Sequence, residues 1–188
     1  DSHKADGIIL LGYGDWELYR ARIEQLAAQG TRFARWGSVE AATGLSGAMP
    51  PGPTIGSDNR AGGRMAAEHL IALGRRRIAF LGHAAGNYPE FEARFQGLSD
   101  ALAAAGLPPP LQADAITTEE AGAEATRRLI GTGAGFDAIV AASDLIAIGA
   151  MRALADLDLR VPDDIAVTGF DDIPAAASTR PPLTTVVQ

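Results

Sequence analysis

Short apolar runs alternate with stretches whose hydrophobic positions recur every three to four residues along this 188-residue chain. Residues 7–12 (GIILLG) form an apolar run suited to a strand covered on both faces. Tyr19, Ile23 and Leu26 then repeat at helical spacing up to Gly30, and residues 31–36 make a second strand candidate, completing one βαβ unit. Arg32 and Arg35 fall on opposite faces of that second strand, which places it near a sheet edge or makes it shorter than drawn. Residues 43–56 (TGLSGAMPPGPTIG) are rich in Gly and Pro and predict a loop and a subdomain crossing.

The pattern resumes with Asp58 as a helix cap, Gly62, Ala66, Leu70 and Leu73 on one face, and Gly74 as the stop. A strand at 78–82 follows, then a helix with Phe95, Leu98, Leu102 and Ala105 inward, ended by Gly106 and three prolines. A weaker strand at 113–116 precedes a helix from about 119 to 130. Next come a strand at 136–142, a helix aligning Ile146, Ala150, Ala153 and Leu157, a strand at 165–170 and an extended piece at 183–187. So regular an alternation of strand and helix predicts an α/β fold, with parallel sheets flanked by helices on both faces.

Composition narrows the classes. Hydrophobic residues at 47% and charged residues at 21% suit a globular protein with a substantial core, and no apolar run approaches the ~20 residues a membrane helix needs. Without cysteine there are no disulfides, thiolate metal sites or cysteine nucleophiles. Sixteen Lys and Arg against 23 Asp and Glu give a net charge of −7, so most of this surface repels a phosphate backbone. The one basic cluster, Arg75 to Arg77, reads better as cations complementing a helix C-terminus. His3, His69 and His83 lack metal-site spacing, and GYGDWE at 12–17 is one glycine short of a dinucleotide loop, so neither a metal nor a cofactor is expected. The chain begins almost directly with a strand and reads as a cut edge.

In parallel α/β sheets, ligands bind beyond the carboxyl ends of the strands, where loops and helix N-termini gather. That rule nominates residues 11–14, Trp36 and Gly37, Gly82 and His83, Ser143 and Asp144, and residues 170–172. Asp171 and Asp172 are adjacent carboxylates, but no nucleophile or metal cluster accompanies them, so Asp171 reads as an acceptor of ligand hydroxyls rather than half of an acid/base pair. Arg94 sits where it can present a planar fork of donors to vicinal oxygens. Asp144 reads as a helix cap, whereas Ser143 is a ligand candidate because its hydroxyl both donates and accepts. Tyr13, Trp16, Trp36, Tyr88, Phe91 and Phe170 all fall at or near strand ends; each is open to core packing or to stacking on a sugar face, with Trp36 preferred for stacking.

Three segments carry a family resemblance: SDNRAGGRMAAEHLIALGRRRIAFLG at 57–82, SDLIAIGAMRAL at 143–154, and RVPDDIAVTGFDDIPAAASTRPPLTTVVQ at 160–188. Together, in this order, they closely resemble the effector-binding core of LacI/GalR-type transcription regulators. The resemblance implies a two-lobed, type I periplasmic-binding-protein-like architecture. Residues 1–56 would be part of an N-terminal lobe, incomplete as it stands, and residues 57–188 most of a C-terminal lobe, with the DNA-binding headpiece absent. It implies that Arg94 and Asp171 contact the effector, that Ser143 and Ser57 occupy further contact positions, and that Gly37, beside Trp36, replaces a polar one. A homodimer is implied as well, through the helix around Ile148 and the segment around Thr179.

The leading expectation is therefore a non-enzymatic, cytoplasmic effector-sensing domain. A small sugar-like molecule bound by Arg94, Asp171, Ser143, Trp36, Ser57, Phe170, Tyr13 and Phe91 would modulate operator binding by the headpiece. A periplasmic sugar-binding transport protein shares the fold and the strand-end site, and a signal peptide upstream would favour it. A Rossmann-like enzyme ranks below both, because no nucleotide loop, nucleophile or metal set supports it.

Overall fold

The computed structural model describes residues 6–11, 16–37, 52–83 and 88–188, with backbone alone for residues 16–19. Two parallel sheets form. The first holds β1 (Ile8–Leu11), β2 (Phe33–Trp36) and β3 (Thr54–Ile55) in the order β1-β2-β3, with helix α1 (Trp16–Ala28) between β1 and β2. The second holds β4 (Ile78–Leu81), β5 (Leu111–Ala113), β6 (Ala138–Ala141), β7 (Ala166–Asp171) and β8 (Thr184–Val187) in the order β5-β4-β6-β7-β8. Helices α2 (Asn59–Ala72), α3 (Pro89–Ala104), α4 (Glu119–Gly131) and α5 (Asp144–Asp156) complete this larger unit. The fold is α/β and two-lobed, with parallel pairing throughout the described strands.

The strand order fixes the layers. From β4 the chain crosses by α3 to β5 on one side, then returns by α4 to β6 on the other, so right-handed crossovers put these helices on opposite faces. Accordingly α2 packs with α3 and α4 packs with α5. Central strands β4 (IAFL) and β6 (AIVA) are buried at every position, as strands covered on both faces must be. Each helix pair approaches closely through glycine. A Cβ on Gly63 of α2 would overlap the Arg94 carbonyl of α3, and one on Gly149 of α5 would overlap the Glu119 carbonyl of α4.

Several expectations change in detail. Leu73, Ala105 and Leu157 are exposed, because each lies at or beyond the last turn, past the point where the helix faces the sheet. Within the stretch expected to be loop, Thr54 and Ile55 pair with Arg35 and Trp36 as β3. Strand β5 ends at Ala113 rather than starting there. Strand β2 starts at Phe33, which leaves Arg32 outside it and exposed, while Arg35 is buried with Nη2 donating to the Gly52 carbonyl at 3.1 Å. Nor is β1 covered on both faces among the described residues. Register sets Ile9 beside Ala34, Leu11 beside Trp36 and Trp36 beside Ile55, on a face where Ile9 is 74% and Leu11 58% exposed.

The basic cluster serves the end of α2. Arg76 donates through Nη1 to the carbonyls of Ile71 and Arg75, and the backbone amides of Arg76 and Arg77 donate to the Asp137 carboxylate. These bonds fit the helix-terminus reading.

Candidate functional site: a cavity at the strand ends

Strand order reverses between β4 and β6, where the chain leaves in opposite directions, and this is the topological position at which α/β sheets leave a crevice. Around it stand the carboxyl ends of β6 and β7 and the second turn of α3. Arg94 projects from that turn and is only 4% exposed. Its Nε donates to Asn59 Oδ1 at 2.9 Å, Nη1 donates to the Ala142 carbonyl, and Nη2 lies 3.7 Å from Asp171 Oδ1. Beneath it the Phe170 ring centroid is 3.6 Å from Cζ, a cation–π contact, and the Phe91 ring lies at 5.6 Å. Held on several sides, the guanidinium has little rotational freedom left to lose when it meets a ligand.

Asp171 ends β7 with φ 107°, and Asp172 follows at φ 56°. Such conformations cost a non-glycine residue on the order of 1–3 kcal/mol and persist only where the surroundings fix them. Here Asp144 supplies much of the fixing. Fully buried, it accepts from the Ile173 amide at 2.9 Å and from Thr185 Oγ1 at 2.6 Å, tying the turn after β7 to β8. The expected cap at Asp144 therefore moves one residue back: Ser143 is the N-cap of α5, its Oγ accepting from the Ile146 amide at 3.4 Å. Burial pushes the Asp171 carboxyl up from 3.8 to about 6; Arg94 opposes the rise and Asp144 adds to it.

A cavity of about 230 Å³ opens between the two sheets. Arg94, Asp171, Ser143, Trp36 and Phe91 all line it, so five of the eight candidates converge. Among the described residues, Gly37, Tyr88, Glu90, Thr117 and Gln188 line it as well. Tyr88 stacks between His83 at 4.9 Å and Phe91 at 5.5 Å, making a continuous ring wall.

The remaining three candidates stand apart. Ser57 and Phe170 line a second cavity of about 530 Å³ between α2 and the β7–β8 edge. Strand alternation explains Phe170: it points to the opposite side of β7 from its neighbour and reaches the cavity only as the platform under Arg94. Ser57 precedes α2, and its carbonyl accepts from Asn59 Nδ2 at 3.1 Å, so it acts on Arg94 through Asn59. Tyr13 lies outside the described residues. Two missed lining residues, Thr117 and Gln188, follow the region of β5 and the end of β8, where the strand-end rule applies equally. Glu90 left no periodic signal, since a glutamate in a first helical turn ordinarily complements the dipole.

A family model for a periplasmic binding protein-like domain matches residues 67–188. The chain belongs to this family. Within it the chain resembles LacI/GalR-type regulators. The HTH-type transcriptional regulator CelR of Thermobifida fusca is 40% identical over 133 residues, covering 70% of this chain and 39% of the relative. MalR of Streptomyces coelicolor is 36% identical over 171 residues, covering 88% and 47%. A solved CelR–cellobiose complex superimposes with a TM-score of 0.83 at 31% identity, covering all of this chain and 55% of that one. The chain thus spans less than half the length of these two curated relatives. They are transcription regulators rather than enzymes or transport proteins, which does not favour the transport reading. Among the described residues, no helix is long and apolar enough to cross a membrane.

Proposed function

We propose that this chain is the effector-sensing core of a LacI-type transcription regulator, in which a small sugar-like molecule occupies the cavity and modulates operator binding by a helix-turn-helix headpiece. The observation that carries this reading is the pairing of a buried guanidinium and a half-buried carboxylate, 3.7 Å apart, on one cavity at the strand ends. Asp171, once ionised, accepts hydrogen bonds from ligand hydroxyls, while Arg94 donates to ligand oxygens. Trp36 offers a ring face from the smaller sheet, and Ser143 a hydroxyl from the larger.

Residues 1–56 then contribute to the N-terminal lobe and 57–188 form the C-terminal lobe. A ligand gripped by both binds the closed arrangement better than the open one, and that difference alone shifts the equilibrium. Transmitted to a pair of headpieces in a homodimer, a coupling of about 1–3 kcal/mol would change operator affinity severalfold to a hundredfold. The net charge of −7 supports DNA contact through the headpiece rather than through these residues. A cytoplasmic location follows from that role.

The test is calorimetry on the full natural protein with cellobiose, the sugar in the solved relative, and a set of other mono- and disaccharides. Arg94→Ala and Asp171→Ala should each abolish effector heat while circular dichroism stays native. Undiminished affinity in both variants refutes the assignment.

A further inference from the structure

Arg94 is held chiefly by one helix, α2, and α2 is also the element through which the chain enters the larger unit from the smaller sheet. Building on the effector-sensing function set out above, we propose that Asn59 is a positioning residue that couples Arg94 to this crossing, so that a ligand in the cavity is sensed directly by the link at residues 56–58.

Between β3, which ends at Ile55, and α2, which begins at Asn59, the chain passes from one sheet to the other unit in residues 56–58. The near end of this link is fastened to the cavity. The Gly37 amide donates to the Ile55 carbonyl at 3.1 Å, Gly37 lines the cavity, and a Cβ on Gly56 would overlap the Gly37 carbonyl. The far end is fastened to Arg94. Asn59 Nδ2 donates to the Ser57 carbonyl at 3.1 Å, and Asn59 Oδ1 accepts from Arg94 Nε at 2.9 Å. A guanidinium offers only donors and a carbonyl only an acceptor, so the amide fits in one orientation and cannot turn over without breaking both bonds.

Helix capping does not account for Asn59. Asp58 already caps α2, its Oδ1 accepting from the Ala61 amide at 2.7 Å. Asparagine is a poor helix former, and a fully buried one costs free energy unless its amide is hydrogen-bonded. Here the two ends of the amide go to the crossing and to the guanidinium. The start of α2 grips Arg94 further: a Cβ on Gly63 would overlap the Arg94 carbonyl, and one on Gly62 would overlap the Phe170 ring beneath the guanidinium. With its backbone, its ring platform and its Nε all set against α2, Arg94 cannot shift toward a ligand without loading Asn59 and, through it, the Ser57 carbonyl. Ligand contact with the guanidinium therefore changes the free energy of the crossing, which is the differential interaction that coupling requires.

Hydrogen–deuterium exchange of the amides of residues 54–58 in the full natural protein tests this, with glucose, galactose, ribose and cellobiose as ligands and calorimetry in parallel. A sugar that binds should slow exchange there by at least about fivefold, the lower end of typical coupling between sites. Asn59→Asp keeps an acceptor for Arg94 Nε but removes the donor to the Ser57 carbonyl. It should bind that sugar within about threefold of the natural affinity, since the charge-assisted bond to Arg94 survives, while the sugar-dependent slowing falls below about twofold. Asn59→Leu removes both bonds and should also lose about tenfold or more in affinity, the scale of one hydrogen bond to a charged group. Thr126→Ala removes an equally buried polar side chain on α4, outside the cavity lining, and should lower Tm yet keep the slowing intact, which separates coupling from loss of stability. Binding without slowing in the natural protein, slowing that survives in Asn59→Asp, loss of binding in that variant, or slowing lost equally in Thr126→Ala overturns the proposal and leaves the sugar-effector reading standing. No binding by any of the four sugars removes both.

Discussion

Asp171→Asn should stabilise the ligand-free protein while destroying its response to effector. Asparagine has nearly the shape of a protonated aspartate, so the substitution removes the charge and little else. In the folded protein, burial raises the Asp171 carboxyl from 3.8 to about 6 despite Arg94 at 3.7 Å, which means that ionising it in place costs more than ionising it in the unfolded chain. At 1.36 kcal/mol per pH unit that gap amounts to about 3 kcal/mol, and partial solvent exposure of the side chain reduces it to roughly 1–2 kcal/mol. The direction follows from proton counting. Below about 3.8 the group is neutral in both states and costs nothing. Between 3.8 and 6 the folded state holds the extra proton, so wild-type stability falls as pH rises, and above 6 the full cost is present. Urea or thermal unfolding of both proteins from pH 4 to pH 8 should therefore show a difference near zero at the acid end. It should grow to roughly 1–2 kcal/mol at pH 7.5, a rise in Tm of a few degrees for a domain of this size. If the variant is equally or less stable at pH 7.5, burial of the charge is not the dominant cost and the pairing with Arg94 outweighs it.

Two further outcomes follow from packing. Trp36 is 41% exposed beside the cavity, so Trp36→Ala should leave unfolding nearly unchanged yet weaken effector affinity by about 0.5–1.5 kcal/mol, read by calorimetry. Gly149→Ala places a methyl on the Glu119 carbonyl across the α4–α5 contact and should cost about 1–3 kcal/mol in urea unfolding; Gly131→Ala, with nothing within 4 Å of its absent Cβ, should be neutral or stabilising.

Most of the fold is written locally. The apolar runs at β4 and β6, the spacing of Ala66 and Leu70 or Ile146 and Ala150, and the Asp58 cap each follow from nearest-neighbour chemistry, which is why a single chain exposes them. The strand-end rule carried this further, bringing Trp36, Ser143 and Asp171 to one cavity without any knowledge of the pairing order. Resemblance to a known family pointed to Arg94. What fails to show locally is direction: periodicity names a face but not where a helix stops meeting its sheet, so Leu73 and Leu157 were expected inside and lie outside.

Only the tertiary structure decided which groups act on one another across long chain separations. Asn59 holding Arg94, Asp144 holding the turn after β7 through Thr185, and Glu90 reaching the end of β2 join residues whose separation in sequence carries no signal. Phe170 and Ser57 show the same limit, since one residue's difference in strand phase or a step before a helix moves a side chain to another cavity. Pattern along the chain sets which elements form because hydrogen bonds and burial within an element are local. Strand order and helix packing set the site, because charges and cavities depend on distances that exist only once the sheets have assembled.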